Sequence, residues 1–340
     1  MAKLPSRRRR EGPRRSRVAL AAGLVLAALA TAPGCGEGEG SAPPGGGAPR
    51  PLTLALDFAP NAVHAGIYAA LAGDEDRRRG LALRVRTPTA STDSLKLLAS
   101  GRADMSVADI HDLGIARERG DDLVGVGAVV QRPLAAVIAR PPVRRPRDLE
   151  GRRVGMPGLP SDDAVVRALV EADAGDPDQV RKTTIGFSAV PALVSERVAA
   201  VTAFWNAEGV ALRRRGVPTR TFRVGERGVA RYPELVLVVR RETLARARPR
   251  VEAAVDAVRA GTQIALRDPG PALTAISRAS ASRPADTRAQ FRAVRPALAP
   301  PVRLDARALE AWAAFAQRYG IVNRRPDVPR AFELRVAGSP

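Results

Sequence analysis

The chain has 340 residues, 45% of them hydrophobic and 26% charged, which is enough for two domains that each bury a core. Its formal net charge is +20, but the excess is arginine spread along the whole chain, and no basic run with interleaved aromatic residues follows residue 17. This distribution argues against a nucleic-acid site, and we expect no nucleic-acid partner.

The first 34 residues have the pattern of an export signal. Residues 1–17 are rich in arginine, and the short apolar run 18–32 follows. That run is too short to span a bilayer as a mature helix. We therefore interpret residues 1–34 as a signal peptide. The adjacent arginines Arg14 and Arg15 leave both the Sec and the twin-arginine route open.

Cys35 is the only cysteine in the sequence, so it forms no internal disulfide. It follows Ala32-Pro33-Gly34, which resembles a lipobox, and we expect cleavage before Cys35 and lipid attachment to it. Cleavage after Ala32, at a pattern of small residues, is the alternative. Residues 35–50 are rich in Gly, Pro, Ser and Ala and predict a disordered tether. The expected product is an exported lipoprotein at the extracytoplasmic face of the cell membrane.

The stretch after the tether predicts the start of the fold. An apolar run at residues 52–56 has strand length, Asp57-Phe58-Ala59-Pro60 breaks it, and helical spacing resumes at residues 63–70. Asn61 is suited to cap this helix. Because ligands bind beyond the carboxyl ends of strands in open α/β sheets, the turn at residues 57–64 is a candidate ligand wall. An ordinary strand-to-helix turn with a solvated His64 is the alternative.

Two more predicted strands in the first half of the chain end in polar residues. The alternating run 81–86 leads into a segment rich in hydroxyl groups that contains Ser91, and a strand within 101–109 leads to Asp109. Asp109 or Asp112 also has the position of a helix cap, which is the alternative to a ligand contact. The apolar runs 123–130 and 134–138 predict buried strands, and we interpret the second as a crossing into another lobe.

A glycine-rich turn at residues 155–161 offers free backbone N–H groups before a helix, a geometry suited to an anion. The adjacent acids Asp162 and Asp163 argue against a strongly anionic ligand there. An ordinary turn without a ligand is the alternative.

A further strand, at residues 200–204, ends in Trp205-Asn206-Ala207-Glu208. Trp205 is suited to stack on a flat heterocycle, Asn206 offers both a donor and an acceptor, and Glu208 offers an acceptor for an amine. A core tryptophan beside a helix-capping asparagine is the alternative.

Five segments resemble the Thi5-like family of ABC-transporter solute-binding proteins, which includes binders of a thiamine pyrimidine precursor and of sulfonates. They are D-F-A-P-N-A-V-H-A-G-I-Y at 57–68, G-R-A-D-M-S-V at 101–107, D-L-E-G-R-R-V-G at 148–155, F-W-N-A-E at 204–208 and Y-P-E-L-V at 232–236. The resemblance implies an α/β fold of periplasmic-binding-protein type II, with two α/β lobes joined by a two-strand hinge. Residues 51–137 and 230–340 would form one lobe and residues 138–229 the other, with crossings near 136–140 and 226–234.

The resemblance also implies a function and a site. We expect a lipid-anchored solute-binding component of an ABC importer, with the permease as partner, that binds a thiamine pyrimidine precursor of the aminopyrimidine type. Riboflavin or an alkylsulfonate on the same scaffold is the alternative. We expect a monomer without cofactor or metal. The expected ligand-binding residues are Asp57, Phe58, Asn61, His64, Tyr68, Ser91, Asp109, Trp205, Asn206, Glu208 and Tyr232.

A pyrimidine synthase is a further alternative, since relatives of the fold make the pyrimidine from pyridoxal phosphate held by a lysine. Only Lys96 and Lys182 remain after the signal, and the strand end 107–109 lacks the lysine of those relatives. Their cysteine-rich iron cluster is absent from the sequence as well. We therefore expect that the chain is not an enzyme. An extracellular sensor or adhesion module on the same fold stays open.

Overall fold

The computed structural model describes residues 48–88, 93–186, 188–226 and 229–336. The predicted signal peptide, Cys35 and most of the tether lie outside these residues, and so does Ser91. In the part of the chain that is described, no helix combines the length and the apolar character needed to span a membrane.

Within the described residues, ten strands form two five-stranded sheets. They are β1 (Arg50–Ala55), β2 (Leu81–Arg86), β3 (Met105–Asp109), β4 (Leu123–Ala128), β5 (Ala135–Ala139), β6 (Arg153–Met156), β7 (Arg181–Thr184), β8 (Ala200–Phe204), β9 (Arg220–Arg223) and β10 (Leu235–Arg240). The strand order is β2-β1-β3-β10-β4 in the first sheet and β7-β6-β8-β5-β9 in the second. In each sheet one strand, β10 or β5, runs antiparallel to both of its neighbours. The two sheets therefore share one topology.

Helices pack on the sheets. They are α1 (Ala65–Ala72), α2 (Asp93–Ala99), α3 (Ile110–Glu118), α4 (Asp162–Ala172), α5 (Ala189–Val194), α6 (Glu208–Arg214), α7 (Arg241–Arg267), α8 (Gly270–Ala279), α9 (Pro284–Val294), α10 (Ala306–Arg318) and α11 (Val328–Ala331). Strands β4 and β10 are almost wholly apolar and buried along nearly their full length. This is the pattern of strands that are covered on both faces.

The chain passes from the first sheet to the second through residues 129–134 and returns through residues 224–234. The strand β5 pairs with both β8 and β9 along its length, so the first passage comes before the predicted crossing at 136–140. The second passage overlaps the predicted one. That the two passages act as a hinge between closing lobes stays a prediction.

Helix α1 follows directly from the turn at residues 57–64 and packs against α7. A Cβ atom on Gly261 of α7 would lie 2.1 Å from the carbonyl oxygen of Gly66 and 2.7 Å from the Cβ of Ala70, both in α1. Real Cβ atoms do not approach so closely, so the two helices meet backbone to backbone and only glycine fits. This contact holds α1, and with it the turn, against the rest of the fold.

We expect Gly261→Ala to lower the melting temperature, although alanine favours an exposed helix by about 1 kcal/mol over glycine. The added methyl group separates α1 from α7, and overpacking of this kind costs about 1–3 kcal/mol. Differential scanning fluorimetry tests this, with Gly209→Ala in α6 as matched control because its Cβ would meet its nearest neighbour at an ordinary 3.4 Å. A melting temperature of Gly261→Ala equal to or above that of the parent would contradict the close approach.

Candidate functional site

A cavity of about 360 Å³ lies where the carboxyl ends of parallel strands from both sheets meet. Its lining is strongly acidic, and none of the described residues that line it is Lys, Arg or His. The acidic residues are Asp57, Asp109, Asp112, Asp162, Glu208 and Glu234. A cavity of this composition favours groups that donate hydrogen bonds or carry positive charge.

The turn after β1 holds Asp57 at the cavity through His64. His64 is buried, and its Nε2 lies 2.7 Å from Oδ1 of Asp57. Nδ1 of the same ring accepts the backbone N–H of Asn61 at 3.2 Å, so the ring hydrogen is on Nε2 and is donated to Asp57. The Asn61 side chain accepts the backbone N–H of Val63 at 3.0 Å, which confirms Asn61 as a cap. His64 therefore orients Asp57.

Asp109 and Glu234 form the part of the lining that comes from the middle of the first sheet. Asp109 ends β3 and caps α3, since it accepts the backbone N–H of His111 at 2.8 Å. Glu234 directly precedes β10, and its Oε2 accepts the backbone N–H of Leu134 at 2.9 Å. Because β3 and β10 pair with Asp109 opposite Leu235, the two carboxyl groups come together.

The carboxyl groups of this region have raised pKa values. Burial raises the pKa of Asp109 well above its usual value, and the nearby Glu234 and Asp112 raise it further. Burial also raises the pKa of Glu234 to about 7 and that of Asp112 to about 6. The physical cause is the loss of hydration together with the proximity of like charges. At neutral pH the ligand-free cavity therefore keeps protons on part of its carboxyl groups.

A buried network of rings lies behind the pair of Asp109 and Glu234. Nδ1 of His111 accepts Nε1–H of Trp312 at 3.2 Å, so the ring hydrogen is on Nε2, which lies 3.1 Å from the hydroxyl oxygen of Tyr232. Burial lowers the pKa of His111 to about 3, so the ring is neutral. Asp109, His111 and Glu234 offer potential metal ligands within 4.8 Å of one another. Both nitrogens of His111 are already used, however, so a metal ion would have to break one of these hydrogen bonds.

Asp162 organises the loop before α4 on the side of the second sheet. Its carboxylate accepts the backbone N–H groups of Gly158 at 2.8 Å and Leu159 at 2.6 Å, and the hydroxyl of Thr202 at 2.9 Å. An anion at this turn would need the same N–H groups. The alternative of an anion site at residues 155–161 is therefore not supported.

Asn206 and Glu208 follow β8 and complete the polar lining. Asn206 is 2% exposed, and its Oδ1 accepts no hydrogen bond from the described residues. A buried acceptor without a partner costs about 1–3 kcal/mol, which a donor on a ligand would offset. Glu208 accepts the backbone N–H of Phe204 at 3.1 Å, and burial raises its pKa.

Trp205 does not have the position of a wall that stacks on a ligand, which corrects the prediction. It is 5% exposed, its Nε1–H donates to the carbonyl oxygen of Pro133 at 2.9 Å, and the guanidinium of Arg223 lies 4.3 Å from the ring centroid. Successive side chains of an extended segment point to opposite faces, and here Phe204 lines the cavity instead. Trp205 packs in the core and holds the passage between the sheets at Pro133.

The ten predicted site residues that lie within the described part of the chain divide into two groups. The cavity is lined by Asp57, Phe58, Asn61, Asp109, Asn206 and Glu208. Their contact with a ligand stays a prediction. Four predicted residues do not line the cavity and are at most 8% exposed, because other side chains cover them: His64, Tyr68, Trp205 and Tyr232.

Sequence reasoning did not assign Asp112, Asp162, Phe204 and Glu234 to the site, although all four line the cavity. For Glu234 the sequence does contain a signal that points to the site. It is an acid directly before the wholly apolar start of β10, in the segment Y-P-E-L-V. Acids at the end of a buried strand are almost never fully buried unless they are paired or functional.

Comparisons with known proteins show the family of the chain. The family model described as NMT1/THI5 like matches residues 61–272, and the chain belongs to this family. The formylaminopyrimidine-binding protein of Halalkalibacterium halodurans is 35% identical over 186 residues, which cover 54% of this chain and 56% of that protein. The chain thus matches a little over half the length of this relative.

Solved structures show the same fold. The periplasmic aliphatic sulphonate binding protein SsuA of Escherichia coli has a TM-score of 0.70 at 13% identity, over 84% of this chain and 97% of that chain. The ligand binding component of an ABC-type import system from Staphylococcus aureus has a TM-score of 0.68 at 13% identity, over 85% and 98%. The predicted periplasmic-binding-protein fold is confirmed. The Halalkalibacterium halodurans relative and these two neighbours are named as binding proteins or ligand binding components, in agreement with the expectation that the chain is not an enzyme.

We expect Glu234 to lower the stability of the ligand-free protein as the pH rises. Its pKa of about 7 in the fold lies above the value of about 4.3 for an unfolded glutamate. Its protonated form therefore favours folding, and this contribution is complete below about pH 4 and lost as the pH rises through about 7. Glu234→Gln keeps an acceptor for the N–H of Leu134 but does not titrate.

Melting curves of the parent and Glu234→Gln between about pH 5 and pH 8 test this expectation. The melting temperature of the parent should decline relative to that of the variant over this range. Comparing the two proteins at each pH cancels the titration of groups remote from Glu234, and the difference reports Glu234 together with its effect on the pKa of Asp109. Parallel pH profiles would show that the pKa of Glu234 is not raised by folding.

Proposed function

We propose that the chain is the solute-binding component of an ABC importer and binds an aminopyrimidine-type heterocycle such as a thiamine pyrimidine precursor. The observation that carries the proposal is the acidic cavity, where six carboxyl groups line the wall, no cationic side chain among the described residues does, and the buried Oδ1 of Asn206 has no hydrogen-bond partner. An aminopyrimidine supplies an exocyclic amine as a hydrogen-bond donor. The 35% identity to a protein named as a formylaminopyrimidine-binding protein supports the same class of ligand.

The remaining lining suits a flat ring. Phe58, from the turn after β1, and Phe204, at the end of β8, bring aromatic surface from the two sheets. Leu134 and Val165 add aliphatic surface. Small-molecule sites commonly combine an apolar lining with a few polar groups that fix the orientation of the ligand.

The alternatives fit this cavity less well. The anion of an alkylsulfonate would meet six carboxyl groups and no cationic side chain among the described lining residues. A flavin ring presents carbonyl acceptors at its edge, for which the carboxyl groups of the lining offer as donors only the few protons that they retain. A synthase that holds pyridoxal phosphate needs a lysine, but Lys182 pairs with Asp163 and Lys96 with Asp93 outside the cavity.

Titration calorimetry with an aminopyrimidine, riboflavin and an alkylsulfonate tests the proposal, and we expect only the aminopyrimidine to bind. Asn206→Ala removes an acceptor and should weaken binding by about 2- to 10-fold. Glu208→Gln removes a charge-assisted acceptor and should weaken it by about 10-fold or more.

The matched control is Trp205→Phe, which lowers the melting temperature through loss of the bond to Pro133. Its effect on the affinity of the folded protein should be smaller than that of Asn206→Ala, because Trp205 lies outside the cavity. The ligand assignment is wrong if Asn206→Ala and Glu208→Gln both bind the aminopyrimidine like the parent. It is equally wrong if only the sulfonate binds the parent.

The membrane anchor, the permease partner and lobe closure also belong to this proposal. A lipid on Cys35, with residues 35–50 as a tether, would hold the protein at the extracytoplasmic face of the cell membrane. The passages at 129–134 and 224–234 would then serve as the hinge on which two lobes close around the ligand. The support for this placement is the sequence Ala32-Pro33-Gly34-Cys35 and the fold shared with periplasmic and ABC-type binding proteins.

We expect Cys35→Ala to release the protein from the membrane fraction or to block its processing, because the thiol is the attachment point of the lipid. Stable anchoring needs at least two hydrophobic chains, so the intact mass of the membrane-bound parent should include more than one acyl group. Ser41→Ala in the same tether is the matched control and should leave fractionation unchanged. An intact mass that begins at Pro33 and carries no lipid would contradict the anchor.

A further inference from the structure

Asp109 and Glu234 form an acid pair in the lining of the cavity. A carboxyl oxygen of each residue lies within 4.8 Å of one on the other, and no cationic side chain among the described residues lines the cavity. Two carboxyl groups this close, with Glu234 buried and no cation beside them, do not both ionise readily, so one of them keeps a proton. The pair therefore shares a proton in the ligand-free protein.

The hydrogen-bonding groups around the pair do not take up this proton. Glu234 accepts the backbone N–H of Leu134, and Asp109 accepts that of His111. The ring of His111 stays neutral because burial lowers its pKa to about 3, and it directs its own hydrogen to the hydroxyl oxygen of Tyr232. Burial raises the pKa of Tyr232 well above its usual value, so its hydroxyl also stays protonated.

The charged groups that face the pair from neighbouring elements are acidic. Asp112 in the first turn of α3 and Asp57 after β1 both raise the pKa of Asp109. Asp57 accepts a hydrogen bond from Nε2 of His64, and Arg119 at the end of α3 acts on Asp112. No cationic side chain among the described residues lines the cavity. A ligand cation would supply the charge that the cavity lacks.

We propose that the pair of Asp109 and Glu234 transfers its shared proton to a ring nitrogen of the bound aminopyrimidine, so that the protein holds its ligand as a cation. This inference rests on the proposed function. In the transfer the carboxyl O–H bond breaks and an N–H bond forms on the ring. The positive charge on the ring is balanced by the carboxylate that remains, and no other reactant takes part.

Two features of the cavity favour the transfer. The carboxyl groups of Asp57, Asp112 and Glu208 line the same cavity and stabilise a cation in it. A protonated ring nitrogen beside an exocyclic amine presents two parallel donors, which match the two oxygens of a carboxylate. The second N–H of the amine then has the buried, unpartnered Oδ1 of Asn206 as an acceptor. All donors of the cation therefore find acceptors.

The ultraviolet spectrum of an aminopyrimidine changes when the ring is protonated, so the difference spectrum of the bound probe reports its charge. With the intact protein in excess over 4-amino-2-methylpyrimidine at about pH 8, we expect the probe to show the spectrum that it has in acid. The double variant Asp109→Asn, Glu234→Gln has no proton to transfer and should bind the probe more weakly, with the spectrum of the neutral ring. Glu208→Gln also weakens binding, but the probe that stays bound should retain the cation spectrum because the proton comes from the pair, and Trp205→Phe, outside the cavity, should retain both the affinity and the spectrum.

The outcomes separate this inference from the proposed function. A neutral spectrum of the probe bound to the parent overturns the proton transfer and leaves the proposed function standing, whereas absence of any binding overturns both. Loss of the cation spectrum in Glu208→Gln, with retention in the double variant, would show that Glu208 supplies the proton and that the pair does not.

A permanently cationic, ring N-methylated aminopyrimidine gives an independent readout. It cannot accept the proton, so its binding should release about one proton per site to the buffer. Calorimetry in two buffers of different ionisation enthalpy measures this number. The affinity for this probe should rise with pH by up to about tenfold per pH unit. Binding without proton release would contradict the shared proton.

Discussion

The buried carboxyl group of Glu234 connects three parts of the molecule. It lies at the end of the passage 224–234, and its Oε2 accepts the N–H of Leu134, which belongs to the passage 129–134, at 2.9 Å. The same side chain faces Asp109 and the cavity. A carboxyl group buried without a cation depends on such hydrogen bonds, because its loss of hydration is otherwise uncompensated. Glu234 therefore connects both passages between the sheets to the floor of the site.

The acidic groups that suit the cavity for a ligand also make the ligand-free fold less stable. Burial raises the pKa values of Asp109, Asp112 and Glu234, so at neutral pH the protein must retain protons there or keep like charges close together. Such groups add no stability to a hydrophobic core. Carboxyl groups with strongly shifted pKa values are typical of functional sites. The unfavourable groups are confined to strand ends and the first turn of α3, while β4 and β10 beside them are almost wholly apolar. Hydrogen-bond donors on a ligand would offset this loss of stability directly at the carboxyl groups that cause it.

Local patterns predicted the parts of the fold and site that depend on neighbours in the sequence. The turn at 57–64 and the cap Asn61 were found because strand length, capping and helical spacing act over a few residues. Trp205 was assigned to the wrong face because one step along an extended chain reverses the direction of the side chain, and aromatic character does not report that direction. Glu234 was not assigned to the site because its partner Asp109 is distant in sequence, and only the antiparallel pairing of β3 and β10 brings them together.

A strongly acidic cavity is compatible with a formal net charge of +20. Exposed charges are screened over about 8 Å at physiological salt, and several arginines are paired, as Arg167 is with Asp178 and Arg325 with Glu310. Buried carboxyl groups are screened much less, so a ligand in the cavity experiences mainly the groups that line it. The preference for cation or anion is therefore set by side chains at the ends of strands, independently of the net charge and of the backbone. This independence allows a scaffold shared with a protein named as a sulphonate binding protein to carry a strongly acidic cavity here.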